Sequence, residues 1–315
     1  MALFAVAAGR AWALPTAGLN VVVHKNKGQS ESVIYRFPQD RSWGKLYKVA
    51  VTNNEVSFWQ EALRQARGVI CLPKEMKLRL ELSYYGAKDA ALLPQVLGPA
   101  IVSIDARHLD GLNDEAVGEI AKLPGLLQLL LADTDIGDKS LEAISHMKSL
   151  TDLQIQEVNV SAGAVALLGR ISTLSRLCLS VSNVGDTAVP ALAALKNLKH
   201  LQMTRTGISD NALKTFARLS KLEKLEVSQN RKVTDAGMAY LVPLQNLQYL
   251  QLEDTSVTVG CLPYLKKLKS LQMLVLTYCK ISPDELLKIK QELPGCQVVM
   301  VNKPHVDPSL FSPLH

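Results

Sequence analysis

A 24-residue pattern recurs along most of this chain and limits its fold more than any other feature. The first clear copy has apolar residues at Leu126, Leu129, Leu131 and Ile136, with a hydroxyl group at Thr134. Six further copies follow, one extra residue separating the fifth from the sixth, and they begin at Leu150, Leu174, Leu198, Leu222, Leu247 and Leu271. Five positions that stay in phase over seven copies indicate a stack of similar structural units.

Each copy changes its periodicity halfway along. Apolar residues first alternate in steps of two, as at Leu201 and Met203, which predicts a strand with one buried face. They then follow helical spacing, as at Leu213 and Phe216. Between the halves, pairs such as Ser209-Asp210 place a helix cap and a carboxylate at the positive end of the helix. Neither half buries its apolar side alone, so the copies must stack, with strands on one side and helices on the other.

The repeats resemble leucine-rich repeats of the 24-residue bacterial type, LxxLxLxxTxIxDxxLxxLxxL, most clearly over residues 198–219. The resemblance extends over residues 126–300. It implies an α/β fold, namely a right-handed, curved solenoid with a parallel sheet on its concave face and short helices on its convex face. It also implies that exposed strand residues bind proteins, or less often glycans, and it implies no catalytic chemistry.

The chain divides into four predicted segments. These are a candidate signal segment at 1–17, a β-rich N-terminal unit at 18–100, the solenoid at 101–301 and a flexible tail at 302–315. The apolar stretch before Ala11-Trp12-Ala13 favours export to the periplasm or the medium of a bacterial cell. Arg10 interrupts that stretch and no basic residue precedes it, so a cytoplasmic location stays open as the alternative.

Within the N-terminal unit, short alternating patterns predict strands at residues 33–37, 45–51, 68–72 and 77–82. The unit resembles the segment that precedes the repeats in some exported bacterial leucine-rich-repeat proteins, which implies that it caps the first repeat. The residues Leu72-Pro73-Lys74-Glu75 are similar to the opening of an F-box, which would suggest an adaptor for ubiquitination. An F-box is helical, however, whereas the alternation at 77–82 predicts a strand.

Charge and cysteine content exclude several classes of function. The 35 basic and 29 acidic residues give a formal net charge of +6 but are interspersed, so no basic stripe for nucleic acid is expected. The five cysteines are odd in number and lack metal-ligand spacing, so we expect neither a disulfide framework nor a metal site. No apolar run reaches the length of a membrane helix. We expect no cofactor and a monomer.

The outward positions of the strands form four columns that run across the repeats, and we call the surface they make the concave face. An exposed parallel sheet is unusual because such sheets are normally covered on both sides, which favours a binding role for the whole face. Any exposed sheet also carries polar residues, so no single side chain proves that role. The candidate binding residues are Gln154, Gln156, Arg176, His200, Gln202, Arg205, Lys224, Glu226, Tyr249, Gln251, Glu253 and Tyr278.

Catalysis has little support in the sequence. The chain contains no GxSxG, HExxH, P-loop or GxGxxG motif. His200 lies between Arg176 and Lys224 in its column, with no carboxylate beside it to orient it and with Glu226 only diagonal to it. Cys178 is the one candidate nucleophile, with Arg176 and His200 near enough to lower its pKa. We therefore predict a protein that is not an enzyme and that binds a protein partner through the concave face. The alternatives are an F-box adaptor, a glycan-binding module and a recruitment module associated with an enzyme.

Overall fold

The computed structural model describes residues 32–58, 62–180 and 184–301. The candidate signal segment, the predicted tail, and Val181 and Ser182 of the third repeat lie outside the described residues.

The repeats form alternating strands and short helices, as the change of periodicity predicts. The described helices are short, ten residues at most, because each one only connects two neighbouring strands of the stack. The elements are β7 (Ile101–Asp105), α3 (Asp114–Ile120), β8 (Gln128–Ala132), α4 (Asp138–Ile144), β9 (Asp152–Gln156), α5 (Ala162–Leu167), β10 (Arg176–Ser180), α6 (Val189–Leu192), β11 (His200–Met203), α7 (Asp210–Phe216), β12 (Lys224–Glu226), α8 (Asp235–Leu241), β13 (Tyr249–Gln251), α9 (Leu262–Leu265), β14 (Met273–Val275), α10 (Pro283–Glu292) and β15 (Gln297–Val299).

In its described residues, 32–58 and 62–100, the N-terminal unit contributes six strands and two short α-helices. The four strands predicted from alternation are confirmed, each within about two residues of its predicted ends. The unit consists of β1 (Ser32–Arg36), β2 (Gly44–Thr52), β3 (Glu55–Phe58), β4 (Arg64–Gln65), β5 (Val69–Pro73), β6 (Lys77–Leu82), α1 (Tyr84–Lys88) and α2 (Leu93–Leu97). The stretch at Leu72 that is similar to an F-box therefore lies in β5 and is followed by β6, so it is extended and not helical.

One sheet of thirteen strands runs through nearly the whole described chain. Strands β6 to β15 follow each other in sequence order and pair in parallel, which confirms the predicted α/β solenoid. Strand β2 pairs antiparallel with β6 and continues the sheet at the N-terminal end, while β1 and β5 form a separate pair. The parallel sheet thus begins at Lys77, upstream of residue 101, where the sequence places the start of the solenoid.

The core lies between the sheet and the helices. In β9 and β10 every second residue is buried, and Leu153, Leu177, Leu201 and Met203 expose at most 1% of their surface. One continuous set of buried apolar residues joins the N-terminal unit to the repeats. The predicted inward positions are therefore confirmed, and stacking of neighbouring repeats is what buries them.

Aspartates at the starts of the helices link neighbouring repeats. The carboxylate of Asp210 accepts hydrogen bonds from the backbone N–H of Thr234 at 2.8 Å and from its hydroxyl at 2.7 Å. Thr234 in turn caps α8 by accepting a hydrogen bond from the N–H of Ala236. The same link through a backbone N–H and a hydroxyl joins Asp138 to Ser161, Asp186 to Ser209 and Asp235 to Thr258. From Gly137, which has no hydroxyl, Asp114 accepts only the backbone N–H. The predicted hydroxyl caps thus also hold one repeat to the next.

Asn230 joins two repeats at the point where the strands turn. Its Nδ2 donates to the carbonyl of Met203 at 2.7 Å and to two carbonyls of its own repeat. Its Oδ1 accepts from the backbone N–H groups of Thr206 and Gly207 at 3.1 and 2.9 Å. Because Asn230 is 1% exposed, this side chain satisfies backbone groups that water does not reach.

One position at the strand exit holds a short polar side chain in several repeats, namely Thr134, Thr206, Asn230, Thr255 and Cys279, and Val158 interrupts this ladder in the second repeat. Elsewhere the ladder bonds to the backbone: the Thr255 hydroxyl donates to the carbonyl of Leu252 at 2.7 Å, and Cys279 Sγ lies 3.1 Å from the same oxygen. Val158 is buried and offers no polar atom. In the preceding repeat, the buried hydroxyl oxygen of Thr134 has no hydrogen-bond partner. The interruption therefore coincides with an unsatisfied polar group.

Candidate binding face

The predicted columns of the concave face are in register. Residues of the first column pair directly across neighbouring strands, in the order Gln128, Asp152, Arg176, His200, Lys224, Tyr249, Met273. The second column has the order Leu130, Gln154, Cys178, Gln202, Glu226, Gln251, Val275. The constant repeat length brings equivalent residues to the same height, so neighbours within a column lie about 4.8 Å apart.

The outward residues of the concave face are buried at its N-terminal end and partly exposed to solvent further along, and we call the exposed part the open face. All five residues of β7 and of β8 are buried, including the outward Ser103, Gln128 and Leu130. From β9 to β14 the outward residues of the strands are partly exposed. The accessible part of the face therefore begins at β9.

A chain of polar contacts crosses the N-terminal edge of the open face. The hydroxyl of Ser103 donates to Gln128 Oε1 at 2.7 Å, and Gln128 Nε2 donates to Asp152 Oδ2 at 2.7 Å. Arg176 Nε lies 3.7 Å from the same carboxylate, so the two side chains pair across neighbouring repeats. Burial raises the pKa of Asp152, and the hydrogen bond from Gln128 and the charge of Arg176 oppose that rise. These side chains are thereby held in place.

A second group of contacts surrounds Tyr249. Lys224 Nζ lies 4.4 Å from the centre of the Tyr249 ring and 2.8 Å from a carboxylate oxygen of Glu226. The Tyr249 hydroxyl donates to Gln251 Oε1 at 2.6 Å, and Gln251 Nε2 lies 3.4 Å from Glu253. Five of the predicted binding residues are thus brought together across two strands. Their conformations are fixed by contacts with each other before any partner arrives.

His200 is poorly suited to acid–base catalysis. Burial lowers the pKa of its imidazole, and the charge of Arg176 lowers it further. Among the described residues no hydrogen bond reaches the imidazole, and the carboxylate of Glu226 is paired with Lys224. A catalytic histidine normally has a partner that orients it.

Cys178 does not have the lowered pKa that its cationic neighbours suggest. Burial raises the pKa of the thiol to about 12, and the charge of Asp152 acts in the same direction. The effect of Arg176 is smaller than that of burial. The idea that this thiol is an activated nucleophile is therefore wrong, because the thiolate is the reactive form.

We accordingly expect Cys178 to react with iodoacetamide at pH 8 at least about tenfold more slowly than the exposed Cys71, because burial raises the pKa of Cys178 and shields its thiol. Mass spectrometry of the labelled peptides measures both rates in one sample of the native protein. Labelling of Cys178 as fast as Cys71 would contradict the assigned burial.

Three of the predicted binding residues lie just past the strand ends. Arg205, Glu253 and Tyr278 follow β11, β13 and β14, and Arg205 and Tyr278 have φ of 55° and 60°. The same left-handed conformation recurs at this point in other repeats, at Asp133, Glu157, Gln229 and Asp254. The N–H of Arg205 donates to the carbonyl of Ser228 in the next repeat at 3.0 Å, which stabilises the turn. These residues form a rim beside the strands.

Polar residues of the N-terminal strands also lie on the outward side of this sheet and are not among the predicted binding residues. Tyr47 of β2 lies opposite Arg79 of β6, and Arg79 forms an ion pair with Asp105 of β7. Arg107 also contacts Asp105, at 2.8 Å, and the Tyr47 hydroxyl donates to Glu81. The alternation at residues 77–82 places Arg79 and Glu81 on one face and could have identified them.

Within residues 32–58, 62–180 and 184–301, no group of three His, Cys, Asp or Glu side chains could hold a metal ion. A search of the same residues finds no helix with the length and apolar character needed to cross a membrane.

A family profile described as a leucine-rich repeat matches residues 218–242. Among solved structures, an internalin of Listeria monocytogenes is 17% identical, with 66% of this chain and 62% of that protein covered and a TM-score of 0.48. A leucine-rich-repeat protein of Leptospira interrogans is 21% identical, with 67% of this chain and 56% of that one covered and a TM-score of 0.47. The chain therefore spans less than two thirds of either protein. No curated protein matches it.

The in-phase repeats and their parallel stack have the form of a leucine-rich-repeat fold, and the profile match over residues 218–242 agrees with it. Proteins of this class generally act as protein-interaction modules, whose extended sheet offers a surface for binding.

Proposed function

We propose that this protein is a noncatalytic interaction module that binds a protein partner through the concave face. The observation that carries the proposal is the parallel sheet itself, whose outward residues stay partly exposed from β9 to β14 while its other side is covered by helices. Parallel sheets are normally covered on both sides. A partner that lies on the open side would complete the usual arrangement.

The composition of the open face supports a protein as the partner. Tyr249, Arg176 and Tyr278 are of the residue types that dominate binding energy at protein interfaces. Tyr249 and Arg176 are already held by neighbouring side chains, so a partner that contacts them loses less conformational entropy on binding. The amides of Gln154, Gln202 and Gln251 offer both donors and acceptors.

The other candidates have weaker support. The hypothesis of an F-box adaptor loses its support, because Leu72 and Pro73 of the proposed motif belong to a strand and an F-box is helical. An enzymatic role has no activated nucleophile at Cys178 and no oriented base at His200. A glycan partner remains the alternative that the amides and tyrosines would also suit. Because an apolar stretch precedes Ala11-Trp12-Ala13, we propose that the protein is exported from the cytoplasm. A cytoplasmic location is the alternative.

The proposal is tested by affinity capture from extracts of the source cell. The bait is either the native chain or a variant with Gln202, Arg205, Glu226 and Tyr249 all changed to alanine. We expect a protein that the native chain retains to be reduced at least about tenfold on the variant, which corresponds to 1.4 kcal/mol of binding free energy. Quantitative mass spectrometry of the captured proteins measures the ratio.

Two controls accompany this capture. The single changes Arg205→Ala and Tyr249→Ala should each alter the free energy of unfolding by less than about 0.5 kcal/mol, because both side chains are at the surface. A matched variant with Lys214, Arg218 and Lys221 of the helix side changed to alanine should retain the partner. If the concave-face variant is folded and retains every partner of the native chain, the assigned face is wrong.

A further inference from the structure

The hairpin of β2 and β3 reaches from the N-terminal unit to the start of the open face. Strand β2 pairs with β6 over residues 44–49 and then runs on to Thr52, paired only with β3. At the tip of the hairpin, the carbonyl of Asn54 accepts a hydrogen bond at 2.7 Å from the hydroxyl of Thr151. Thr151 directly precedes β9, the first strand whose outward residues are partly exposed.

The turn of this hairpin presents polar side chains to solvent. Asn53 and Asn54 have φ of 52° and 62°, the left-handed pair that a tight two-residue hairpin turn requires. Thr52, Asn53, Asn54 and Glu55 are all exposed. Among the described residues, no side-chain hydrogen bond or ion pair is formed by Asn53, Asn54 or Glu55. The turn is thus fixed in position through its backbone and has its side chains available.

Glu55 lies near the first column of the concave face. The hydrogen bond from the Thr151 hydroxyl to the Asn54 carbonyl anchors the turn one residue before Asp152, a member of that column. Burial lowers the pKa of His200, and the negative charge of Glu55 opposes that effect. The closed part of the face, at β7 and β8, ends where the turn stands.

We propose that the turn of the β2–β3 hairpin is a second wall of the binding site, and that the partner presents an extended polypeptide segment between this wall and strands β9 to β13. The inference rests on the proposed function and names the form of the partner. Five strands at about 4.8 Å span about 19 Å, which matches about six residues of extended chain.

The chemistry of both walls suits a polypeptide backbone. The amides of Asn53 and Asn54 on one side and of Gln154 and Gln202 on the other can each donate to a carbonyl and accept from an N–H. Arg176 and Lys224 already pair with Asp152 and Glu226, whereas Glu55 is exposed and forms no ion pair among the described residues, so a segment with a basic residue towards the turn would match its charge. An extended peptide has free backbone groups along its whole length, as such a site requires.

The test uses a phage-displayed library of linear twelve-residue peptides, selected on the full native chain. Peptides that the concave-face variant with four alanines no longer binds are synthesised with a fluorescent label, and their Kd is measured by anisotropy. The hairpin variant is Asn53→Gly, Asn54→Gly and Glu55→Gln, since glycine keeps the left-handed turn while removing the side chains. The matched control is Asn211→Ala with Glu142→Gln on the helix side.

We expect the hairpin variant to raise the Kd of these peptides fivefold or more, and the control to change it less than twofold. An increase below fivefold in the hairpin variant overturns the inference and leaves the proposed function standing. If no selected peptide depends on the concave face, the inference is overturned, and the capture experiment decides the proposed function separately. The melting temperature of each variant shows whether it is folded. If the hairpin variant is unfolded, the Kd is measured with the single change Glu55→Gln in its place.

A measurement without any ligand checks the placement of the hairpin. In the Glu55→Gln protein, loss of the negative charge should lower the pKa of His200 further, as followed by NMR of its imidazole. An unchanged His200 would show that the turn does not face the first column, and this would overturn the inference.

Discussion

Changing Leu201 to alanine is expected to reduce the free energy of unfolding by about 2 to 5 kcal/mol. The side chain is 1% exposed and pairs in register with Leu177 and Leu225 of the neighbouring strands. Truncation removes apolar contacts in three repeats and leaves a cavity that the stacked backbone cannot close. Urea unfolding followed by circular dichroism measures the change.

The next residue along the same strand supplies the control. Gln202 points to the opposite side of the sheet and is partly exposed, so Gln202→Ala should cost less than about 0.5 kcal/mol. A loss below this value for Leu201→Ala would mean that the inward and outward faces of β11 have been interchanged, and with them the whole concave face.

Changing Asn230 to alanine is expected to cost about 3 to 5 kcal/mol, although the side chain is polar. Six hydrogen bonds disappear, and the buried N–H group of Thr206 and the buried carbonyl of Val227 lose the side chain that pairs with them. Buried groups left without a partner account for most of the cost. Thermal and urea unfolding both report it.

Two substitutions make this result specific. Asn230→Thr should be less costly, because threonine occupies the equivalent place at Thr206 and Thr255 and donates there to a backbone carbonyl. Asn211→Ala, on the exposed side of α7, should have almost no effect. If Asn230→Ala costs less than about 1 kcal/mol, the ladder does not hold the repeats together as described.

The repeat length made most of the fold predictable. Because strands and helices return at a constant spacing, the buried positions of β8 to β14 and the order of the first two columns follow from counting residues. Four of the six described N-terminal strands were predictable from alternation alone, whereas the short β3 and β4 were not. The links between Asp210 and Thr234, and their equivalents, were not, because a local pattern shows that a residue suits a helix start but not which neighbour it contacts.

The sequence predicts which residues lie on the binding face but not how deeply each one is buried or which side chains it contacts. Counting places Cys178 between Arg176 and His200, yet the depth to which the sheet buries the thiol determines its pKa, and depth depends on the shape of the whole stack. Likewise, the hydrogen bond from Thr151 to Asn54 joins residues 97 positions apart. Contacts between the N-terminal unit and the repeats follow no period, so the sequence could not reveal them.

Oxidative footprinting of the complex with the captured partner tests the role of the concave face most directly. Tyr249 and Met273 lie in the first column of that face, whereas Tyr240 lies on α8 and exposes 38% of its surface. We expect the partner to slow the oxidation of Tyr249 and Met273 at least about threefold and to leave that of Tyr240 unchanged, because an interface excludes water from its centre. Protection of Tyr240 with Tyr249 and Met273 unaffected would contradict the account and place the partner on the helices.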